Sequence, residues 1–393
     1  MLFAAVLSGC GAAERYDPYH TLYFKDGFKS EKAVATFFNS KSGESADVEM
    51  EKISEDSDSC TFSCEGDCSL YNMAYITYGD NTTSKFAFNK CVSGWYRTKT
   101  YFLPYTEGEE INYFPEMEDV TLEGFGYKKN IHIWKPEDYH PSSKEPYAVI
   151  YVLDGHNLIS QGEDILNSYS AVPEQVRSMI SQTGYKAIVV GVENLFARDN
   201  ELVPVIGVPR DEEIFGEREF ESMDGSQFAQ FIAETLVPYI RDRYNVYTDA
   251  LHTSITGNSL GGLESFYITM EYPDIFGTVG AVSPSFWEYD DETWKKYLSN
   301  KRFDEKSPFV YLYTGPGVPE GTVPGPDNMP KDTDPDVTQM YHRLKDMGYP
   351  EEKLVLHFNE EGEHNGLFWR AVFPEFLDAM VFQKIEPLQQ KTE

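Results

Sequence analysis

A serine between glycines is the residue of this chain best placed to do chemistry. Residues 257–262 read Gly-Asn-Ser-Leu-Gly-Gly, a Gly-x-Ser-x-Gly pentad with one more glycine behind it. Leu251–Ile255 before it is predicted to be a strand, and Leu263–Tyr272 after it a helix that stops at Pro273. A serine on so sharp a strand-to-helix turn exposes its hydroxyl as a nucleophile, and glycines let the two elements approach. Ser259 is therefore the predicted nucleophile, with a plain glycine-rich turn as the alternative.

A serine hydroxyl is a weak nucleophile and needs a base within hydrogen-bond reach. His364 is the predicted base because it lies in the loop between the last predicted strand and the last predicted helix. In that position it comes last in the chain order serine, acid, histidine, which is the order found with this kind of turn. We expect His252, His342 and His357 to be ordinary surface or core residues.

The acid that orients the histidine should follow the predicted strand Phe309–Tyr313. Glu320 comes soonest after that strand and is the first candidate. The same stretch offers four open alternatives, which are Asp327, Asp332, Asp334 and Asp336. The acidic run 332–336 also has calcium-binding chemistry, but Val337 stands where an EF-hand loop needs glycine, which excludes that motif.

Two backbone N–H groups are expected to stabilise the negative oxygen that forms during attack. Leu260, directly after the serine, supplies one of them. The other is predicted from the turn after the strand Tyr147–Leu153, where Gly155 permits a tight bend. The N–H of His156 in that turn is the candidate.

Composition sets limits on what the chain can bind. Its 393 residues are enough for two domains, and its 41% hydrophobic and 15% aromatic content favours a large core over disorder. The net charge of −32 excludes nucleic acid as an expected partner, because phosphates need Lys and Arg. It also disfavours tight electrostatic binding to anionic lipid, and such spread acidity is typical of an exported surface.

The N-terminal residues 1–10 have the pattern of an export signal. Leu2–Leu7 is apolar and too short to span a bilayer, and Ser8-Gly9-Cys10 resembles the lipobox of bacterial lipoproteins, although no Lys or Arg precedes the run. We expect an exported protein, either secreted or a cell-envelope lipoprotein that meets the membrane only through a lipid anchor on Cys10. The alternative is a buried N-terminal segment with a free thiol.

Four further cysteines, in an exported chain, predict two disulfides whose pairing the sequence leaves open. They are Cys60, Cys64, Cys68 and Cys91. A structural zinc site is the alternative, although the spacing lacks the usual C-x2-C knuckle.

A change of pattern near residues 114–119 predicts a domain boundary. Before it, short β-patterned runs between polar turns predict a β-sandwich-like domain over 11–115. The clearest runs are Tyr71–Tyr78, Lys85–Phe88 and Tyr96–Leu103. The aromatic residues of this domain could stack on sugar rings in a carbohydrate-binding or accessory role, with ordinary packing as the alternative.

After the boundary, strands alternate with helices over residues 118–386, which predicts an α/β domain with a mostly parallel central sheet. The predicted strands are the hairpin Val120–Trp134, then Tyr147–Leu153, Ile188–Val192, Leu251–Ile255, Val279–Val282, Phe309–Tyr313 and Leu354–Phe358. The predicted helices include Gln175–Ser181, Gly225–Tyr244, Trp294–Leu298, Asp336–Met347 and Phe368–Phe382.

Several segments in order resemble the esterase D-like branch of the α/β-hydrolases, which includes feruloyl, acetyl and enterochelin-type siderophore esterases. The resemblance covers about residues 120–382. It rests on Tyr151–Leu158, Gly191–Asn194 with Arg198 and Glu201, Gly257–Gly262, Ser283–Trp287, and Glu363–Asn365 with Trp369. It implies an α/β-hydrolase fold and a serine hydrolase that acts on esters without a metal or other cofactor.

The resemblance also assigns positions. Ser259, His364 and the amides of His156 and Leu260 carry over to the catalytic machinery. Four residues are expected to contact substrate, which are Ser285, Trp287, Asn258 and Glu193. The family's acid does not map cleanly onto Glu320, because the loop Gly315–Asp336 is long and proline-rich.

The expected function is a serine carboxylic-ester hydrolase of the cell envelope that acts on acyl or feruloyl esters of plant polysaccharides. A siderophore esterase is the alternative, and the acid-rich chain is unfavourable for an anionic ferric siderophore. A non-catalytic surface binding protein on a hydrolase scaffold is a second alternative, because a fold alone does not prove activity. The oligomeric state stays open.

Overall fold

The computed structural model describes residues 19–39, 42–67, 69–83, 86–87, 94–97, 102–104, 115–158, 170–194, 198–210, 225–316, 336–359, 362 and 364–389. These residues fall into two compact units. The β unit combines the described residues up to 115 with those within 161–185 and 365–393. The α/β unit consists of residues 116–160 and 186–364.

The β unit contains two small sheets. Its strands are β1 Tyr19–Asp26, β2 Ala33–Phe38, β3 Ser45–Glu49, β4 Glu51–Glu55, β5 Cys60–Asp67, β6 Met73–Tyr78, β7 Asn81–Thr82, β8 Phe86–Ala87, β9 Gly94–Arg97 and β10 Phe102–Pro104. One sheet has the order β10-β9-β1-β5-β4 and the other β3-β2-β6-β7, with β8 also paired to β6. Alternate residues of β2 are buried, which is the period of a strand with one face on a core.

The two sheets share that core, as a sandwich requires. Phe24 of β1 and Phe62 of β5 belong to the same buried cluster as Phe37 of β2 and Ile76 of β6. The predicted β-sandwich-like N-terminal region is therefore present.

Two helices belong to the β unit although they come later in the chain. They are α1 Val172–Thr183 and α8 Gly366–Gln389. Ala371 of α8 is buried in the cluster that holds the strands of this unit together. The apolar face of α8 joins the β core. The two compact units also divide near residue 115, and α1 and α8 are counted with the first of them. The domain bounds 11–115 and 118–386 remain predictions.

The prediction of two disulfides is wrong for the cysteines that the structure describes. Cys60 and Cys64 both lie on β5 and are free thiols, paired across the ladder with Asp26 and Leu22 of β1. Burial raises the pKa of the Cys64 thiol to about 12, so it stays protonated. Cys68 and Cys91 lie outside the described residues. Nowhere in the described ranges do three or more His, Cys, Asp or Glu side chains come together as a metal site.

The α/β unit is built on one eight-stranded sheet. Its strands are β11 Met117–Gly124, β12 Tyr127–Trp134, β13 Ala148–Leu153, β14 Ala187–Val192, β15 Thr253–Asn258, β16 Thr278–Val282, β17 Phe309–Thr314 and β18 Leu354–Phe358, in the order β11-β12-β14-β13-β15-β16-β17-β18. The hairpin β11–β12 is antiparallel, and β12 pairs antiparallel with β14. The other neighbours pair in parallel. The predicted mostly parallel sheet is confirmed.

Helices cover this sheet. They are α2 Arg198–Glu201, α3 Gly225–Phe231, α4 Val237–Arg243, α5 Leu260–Glu271, α6 Asp291–Leu298 and α7 Asp336–Asp346. Every residue of β13, β14 and β17 is buried, which requires cover on both faces. None of the helices in the described chain is long and apolar enough to cross a membrane.

The predicted helix Gly225–Tyr244 differs from the structure in one respect. A π-helical turn, Ile232–Leu236, separates α3 from α4. Pro238 near the start of α4 has no N–H to donate to the preceding turn, and the wider turn accommodates the missing bond.

Candidate active site

Ser259 lies at the sharp turn between β15 and α5, as predicted. Its backbone has φ +58° and ψ −123°, a conformation that costs a non-glycine residue about 1–3 kcal/mol. Two bonds hold it there. The Ser259 N–H donates to the carbonyl of Val282 at 3.0 Å, and the Ser285 N–H donates to the Ser259 carbonyl at 3.1 Å. The strain is therefore balanced by contacts to the residues at and after the end of β16.

The glycines around Ser259 are required by close backbone contacts. A Cβ on Gly257 would lie 2.5 Å from the carbonyl carbon and oxygen of Gly261. A Cβ on Gly262 would lie 3.1 Å from the oxygen of Gly257 and from Cα of Pro284. Side chains at these positions would push α5 away from the strands and displace Ser259.

His364 lies next to Ser259, and both side chains are buried. Its Nε2 atom lies 3.0 Å from Ser259 Oγ, and the two residues are 7% and 8% exposed. The loop before His364 is tied to the end of β17, because Asn359 donates its N–H to Thr314 at 2.9 Å and its Nδ2 to the Tyr313 hydroxyl at 3.2 Å. The predicted pair of nucleophile and base is thus within hydrogen-bond distance.

The predicted acid cannot be placed in the same way. Glu320, Asp327, Asp332 and Asp334 lie outside the described residues. Asp336 is the first residue of α7. All five remain predictions for the third member of the triad.

Ser285 lies closer to the nucleophile than its expected role in the pocket implies. It is fully buried, and its Oγ lies 3.3 Å from Ser259 Oγ. It follows β16 and precedes the short 3-10 helix Phe286–Glu288, which carries the half-buried Trp287. Ser285 can therefore influence the position of the attacking oxygen directly.

The two predicted oxyanion donors lie on turns at the same edge of the sheet. Leu260 is the first residue of α5, where N–H groups have no acceptor within the helix. His156 lies in the 3-10 helix Gly155–Leu158 that follows β13. A Cβ on Gly155 would lie 2.5 Å from the carbonyl carbon of Gly191, so this turn packs tightly against β14.

Beneath these turns lies a polar network that the sequence analysis did not predict. Asp154, directly after β13, accepts two bonds of 2.8 Å from Nε and Nη2 of Arg198. Nη2 of Arg198 also lies 3.4 Å from the carbonyl oxygen of Asn258, the half-buried residue before the nucleophile. Asp154 and Arg198 both fall within the segments that carry the family resemblance, but nothing in their spacing indicated that they pair.

The network continues towards β12. The N–H of Asp154 donates to Asn194 Oδ1 at 3.1 Å, and Asn194 Nδ2 donates to Glu201 at 2.9 Å. Lys129 of β12 forms an ion pair with Glu201, and both side chains are buried. These bonds satisfy polar groups that would otherwise be buried at a cost of about 1–3 kcal/mol each.

Glu193, expected to contact substrate, faces β12 in the structure. Its carboxylate accepts a 3.1 Å bond from Asn130 Nδ2 and lies 3.4 Å from His132 Nε2. These contacts hold the carboxylate beside the sheet, and its role towards substrate remains a prediction.

Comparison with known proteins gives a family match. Residues 123–378 match the model of the Esterase family, described as "Putative esterase". The Ferri-bacillibactin esterase BesA of Bacillus subtilis is 27% identical over 205 residues, which cover 51% of this chain and 67% of BesA.

Two solved structures share the fold. The IroE-like serine hydrolase from Shewanella oneidensis has a TM-score of 0.51 at 18% identity, over 68% of this chain and 80% of its own. The enterobactin esterase FES from Shigella flexneri, crystallised in the presence of enterobactin, has a TM-score of 0.50 at 13% identity, over 92% of both chains. At identities this low, the structural likeness shows a common fold, of the α/β-hydrolase type, and nothing about substrate.

Proposed function

This chain belongs to the Esterase family and is an esterase, and we propose that it is a serine carboxylic-ester hydrolase that works through an acyl-enzyme. One observation carries the proposal. Nε2 of His364 lies 3.0 Å from Oγ of Ser259 in a buried setting. That geometry would give a serine hydroxyl the base it needs. With this pair intact, a purely binding role on a hydrolase scaffold has no support.

The proposed reaction has two halves. Ser259 Oγ attacks the ester carbonyl carbon while His364 Nε2 takes the hydroxyl proton, and the resulting oxyanion is stabilised by the N–H groups of Leu260 and His156. His364 then gives that proton to the departing alcohol, which leaves the acyl group on Ser259. In the second half, water attacks the acyl-enzyme with His364 as base, and the carboxylic acid is released.

The first candidate substrate is an acyl or feruloyl ester linked to a polysaccharide. A net charge of −32 does not repel a neutral polymer. The sequence of the N-terminal region also carries several aromatic residues, including Trp95, Tyr96, Tyr101 and Phe102, whose flat faces suit sugar rings.

A siderophore ester is the second candidate substrate. The similarity to the Ferri-bacillibactin esterase BesA favours it. The large negative charge of the chain opposes it, because a ferric catecholate siderophore is itself an anion.

We also propose that the protein is exported and is held at the cell envelope by an acyl chain on Cys10. The pattern Leu-Ser-Gly-Cys at residues 7–10 supports this proposal. Metabolic labelling with a tagged palmitate tests it. The wild type should incorporate the label and Cys10→Ala should not, and an unlabelled wild type in a host that processes lipoproteins contradicts the anchor.

A substrate panel tests the proposed function. Purified wild type and Ser259→Ala are assayed on methyl ferulate, acetylated xylan and ferric enterobactin. We expect hydrolysis of one or both of the first two by the wild type only. Activity confined to ferric enterobactin would transfer the proposal to the siderophore candidate. Equal activity of the Ser259→Ala variant would overturn the mechanism.

A further inference from the structure

Two turns meet at the candidate site, and one ion pair joins them. The nucleophile turn is residues 257–262, and the oxyanion turn is residues 154–157. We infer that Arg198, through its bonds to Asp154, is a positioning residue that sets the distance between these turns. The inference rests on the proposed function, because it concerns how the predicted oxyanion donors are held.

The ion pair reaches both turns. Nε and Nη2 of Arg198 donate to the two carboxylate oxygens of Asp154, at 2.8 Å each. Nη2 is also 3.4 Å from the carbonyl oxygen of Asn258 in the nucleophile turn. The carboxylate also lies beside that turn, because a Cβ added to Gly261 would come within 3.2 Å of Asp154 Oδ2. Two parallel bonds fix direction as well as distance, which a single charge contact does not.

The backbone of Asp154 is held in an uncommon conformation. Its φ is +56°, in the left-handed region that non-glycine residues seldom occupy. Its N–H donates to Oδ1 of the fully buried Asn194 at 3.1 Å. Asn194 is held in turn by Glu201. Two different residues therefore hold Asp154. Asn194 accepts from its backbone N–H, and Arg198 donates to its side-chain carboxylate.

Placement of the turns matters because the two predicted oxyanion donors lie on different ones. Leu260 belongs to the nucleophile turn and His156 to the oxyanion turn. Loss of one such donor costs about 10²–10³ in kcat, and misplacement by about 1 Å has an effect of about 10². A bond network that sets the separation of the turns therefore acts on kcat, without touching the substrate.

Direct binding of a substrate anion by Arg198 is the competing role. The Arg198 side chain is 31% exposed, so a ligand could approach it. Its charge, however, is already matched by the Asp154 carboxylate at hydrogen-bond distance. A positioning role predicts the same loss of kcat for neutral and anionic esters, whereas an anion-binding role predicts a raised KM for anionic esters alone.

The test uses the full chain with Arg198→Ala. Substrates are p-nitrophenyl acetate and a p-nitrophenyl ester whose acyl chain ends in a carboxylate. We expect kcat to fall about 100-fold on both esters, with KM within about threefold of the wild type. Added guanidinium chloride, at concentrations well below those that unfold the wild type, should raise the kcat of the variant at least about tenfold. A free guanidinium ion can occupy the site that the Arg198 side chain has left.

Lys301→Gln is the matched control. It breaks a partly buried ion pair with Glu271 at the far end of α5, where Lys301 Nζ lies 2.7 Å from Glu271. The length of α5 separates that pair from Leu260 by about 17 Å, at about 1.5 Å per residue. We expect kcat of Lys301→Gln to equal that of the wild type, with no response to guanidinium.

Three results would overturn the inference. They are an unchanged kcat in Arg198→Ala, a loss confined to KM on the anionic ester, and a lowered kcat that guanidinium does not restore. If Arg198→Ala does not fold, Arg198→Lys is measured instead. Lysine keeps the charge but cannot make both bonds, so kcat should still fall on both esters at an unchanged melting temperature, and wild-type kcat in this variant counts against the inference. An inactive wild type would instead contradict the proposed function.

Discussion

Nε2 of His364 lies 3.0 Å from Oγ of Ser259, although 105 residues separate them in the chain. The strands that precede them, β18 and β15, are not neighbours, because β16 and β17 lie between them. Three strand spacings of about 4.8 Å place the two strand ends about 14 Å apart. His364, in the loop after β18, therefore lies well away from the end of its own strand, and the contacts of the described residues of this loop should control the reaction.

The Tyr313 hydroxyl holds that loop by accepting a bond from Asn359 Nδ2 at 3.2 Å. Tyr313→Phe should lower kcat about fivefold with little change in KM, because one hydrogen bond contributes about 1 kcal/mol to the placement of His364. Tyr311→Phe is the control, since it removes a hydroxyl of the same strand that contacts His357 at 3.1 Å. Steady-state kinetics on one soluble ester compares them, and an equal kcat for both variants contradicts the prediction.

Ser285 should contribute to the orientation of the nucleophile. Its hydroxyl is 3.3 Å from Ser259 Oγ, so Ser285→Ala is expected to lower kcat about fivefold while KM stays near the wild-type value. Thr256→Val removes another buried hydroxyl nearby, one that donates to the Gly280 carbonyl at 2.7 Å. That control should lose stability but keep kcat. Wild-type kcat in Ser285→Ala would show that the contact has no catalytic effect.

Gly257 should tolerate no side chain. The added Cβ of Gly257→Ala would stand 2.5 Å from the backbone of Gly261, which is below any ordinary contact distance. We expect a lower melting temperature and a loss of kcat of at least about tenfold, because α5 must shift to relieve the clash. Gly27→Ala should melt like the wild type, because the described residues other than its two chain neighbours place no atom within 4 Å of the new Cβ. A stable, fully active Gly257→Ala would contradict the packing described for the nucleophile turn.

Glu264 should make stability depend on pH. It is fully buried in α5, and neither carboxylate oxygen has a hydrogen-bond partner in the described part of the chain. Burial, with a smaller effect of Glu271, raises the pKa of Glu264 well above the usual 4.5. The folded state keeps the proton while the unfolded state releases it, so stability from this group is present below about pH 4.5 and is lost as the pH rises towards the folded pKa.

Glu264→Gln should remove this loss of stability at higher pH, because glutamine does not ionise. Its melting temperature should rise relative to the wild type between about pH 5 and about pH 8, with the difference growing as the pH increases. Glu292→Gln, at an exposed position on α6, is the control and should show a constant difference. A difference for Glu264→Gln that does not change with pH contradicts this prediction.

The sequence predicted the elements around Ser259 well because their signals are local. The glycine spacing at 257–262 specifies the turn, and apolar runs specify buried strands, so β13 begins within one residue of its predicted start. The place of His364 followed from chain order alone.

Pairings between distant segments carried no such signal. Asp154 and Arg198 are 44 residues apart, and nothing in the sequence around either residue indicates that it pairs with the other. In the same way, the apolar pattern of α8 predicts a helix but does not say which core it joins, and it joins the β unit. The two free cysteines of β5 show that cysteine count does not establish pairing, because partners depend on the strand register.

We propose that Ser259 is a nucleophile activated by His364. Incubation of the wild type with a fluorophosphonate, followed by intact-mass measurement and peptide mapping, tests it most directly. We expect one phosphonyl group per chain, on Ser259, that is absent from Ser259→Ala and forms at least about 10³-fold more slowly on His364→Ala. A folded, ester-hydrolysing protein that carries no adduct at Ser259, or that keeps its activity in Ser259→Ala, would contradict the claim.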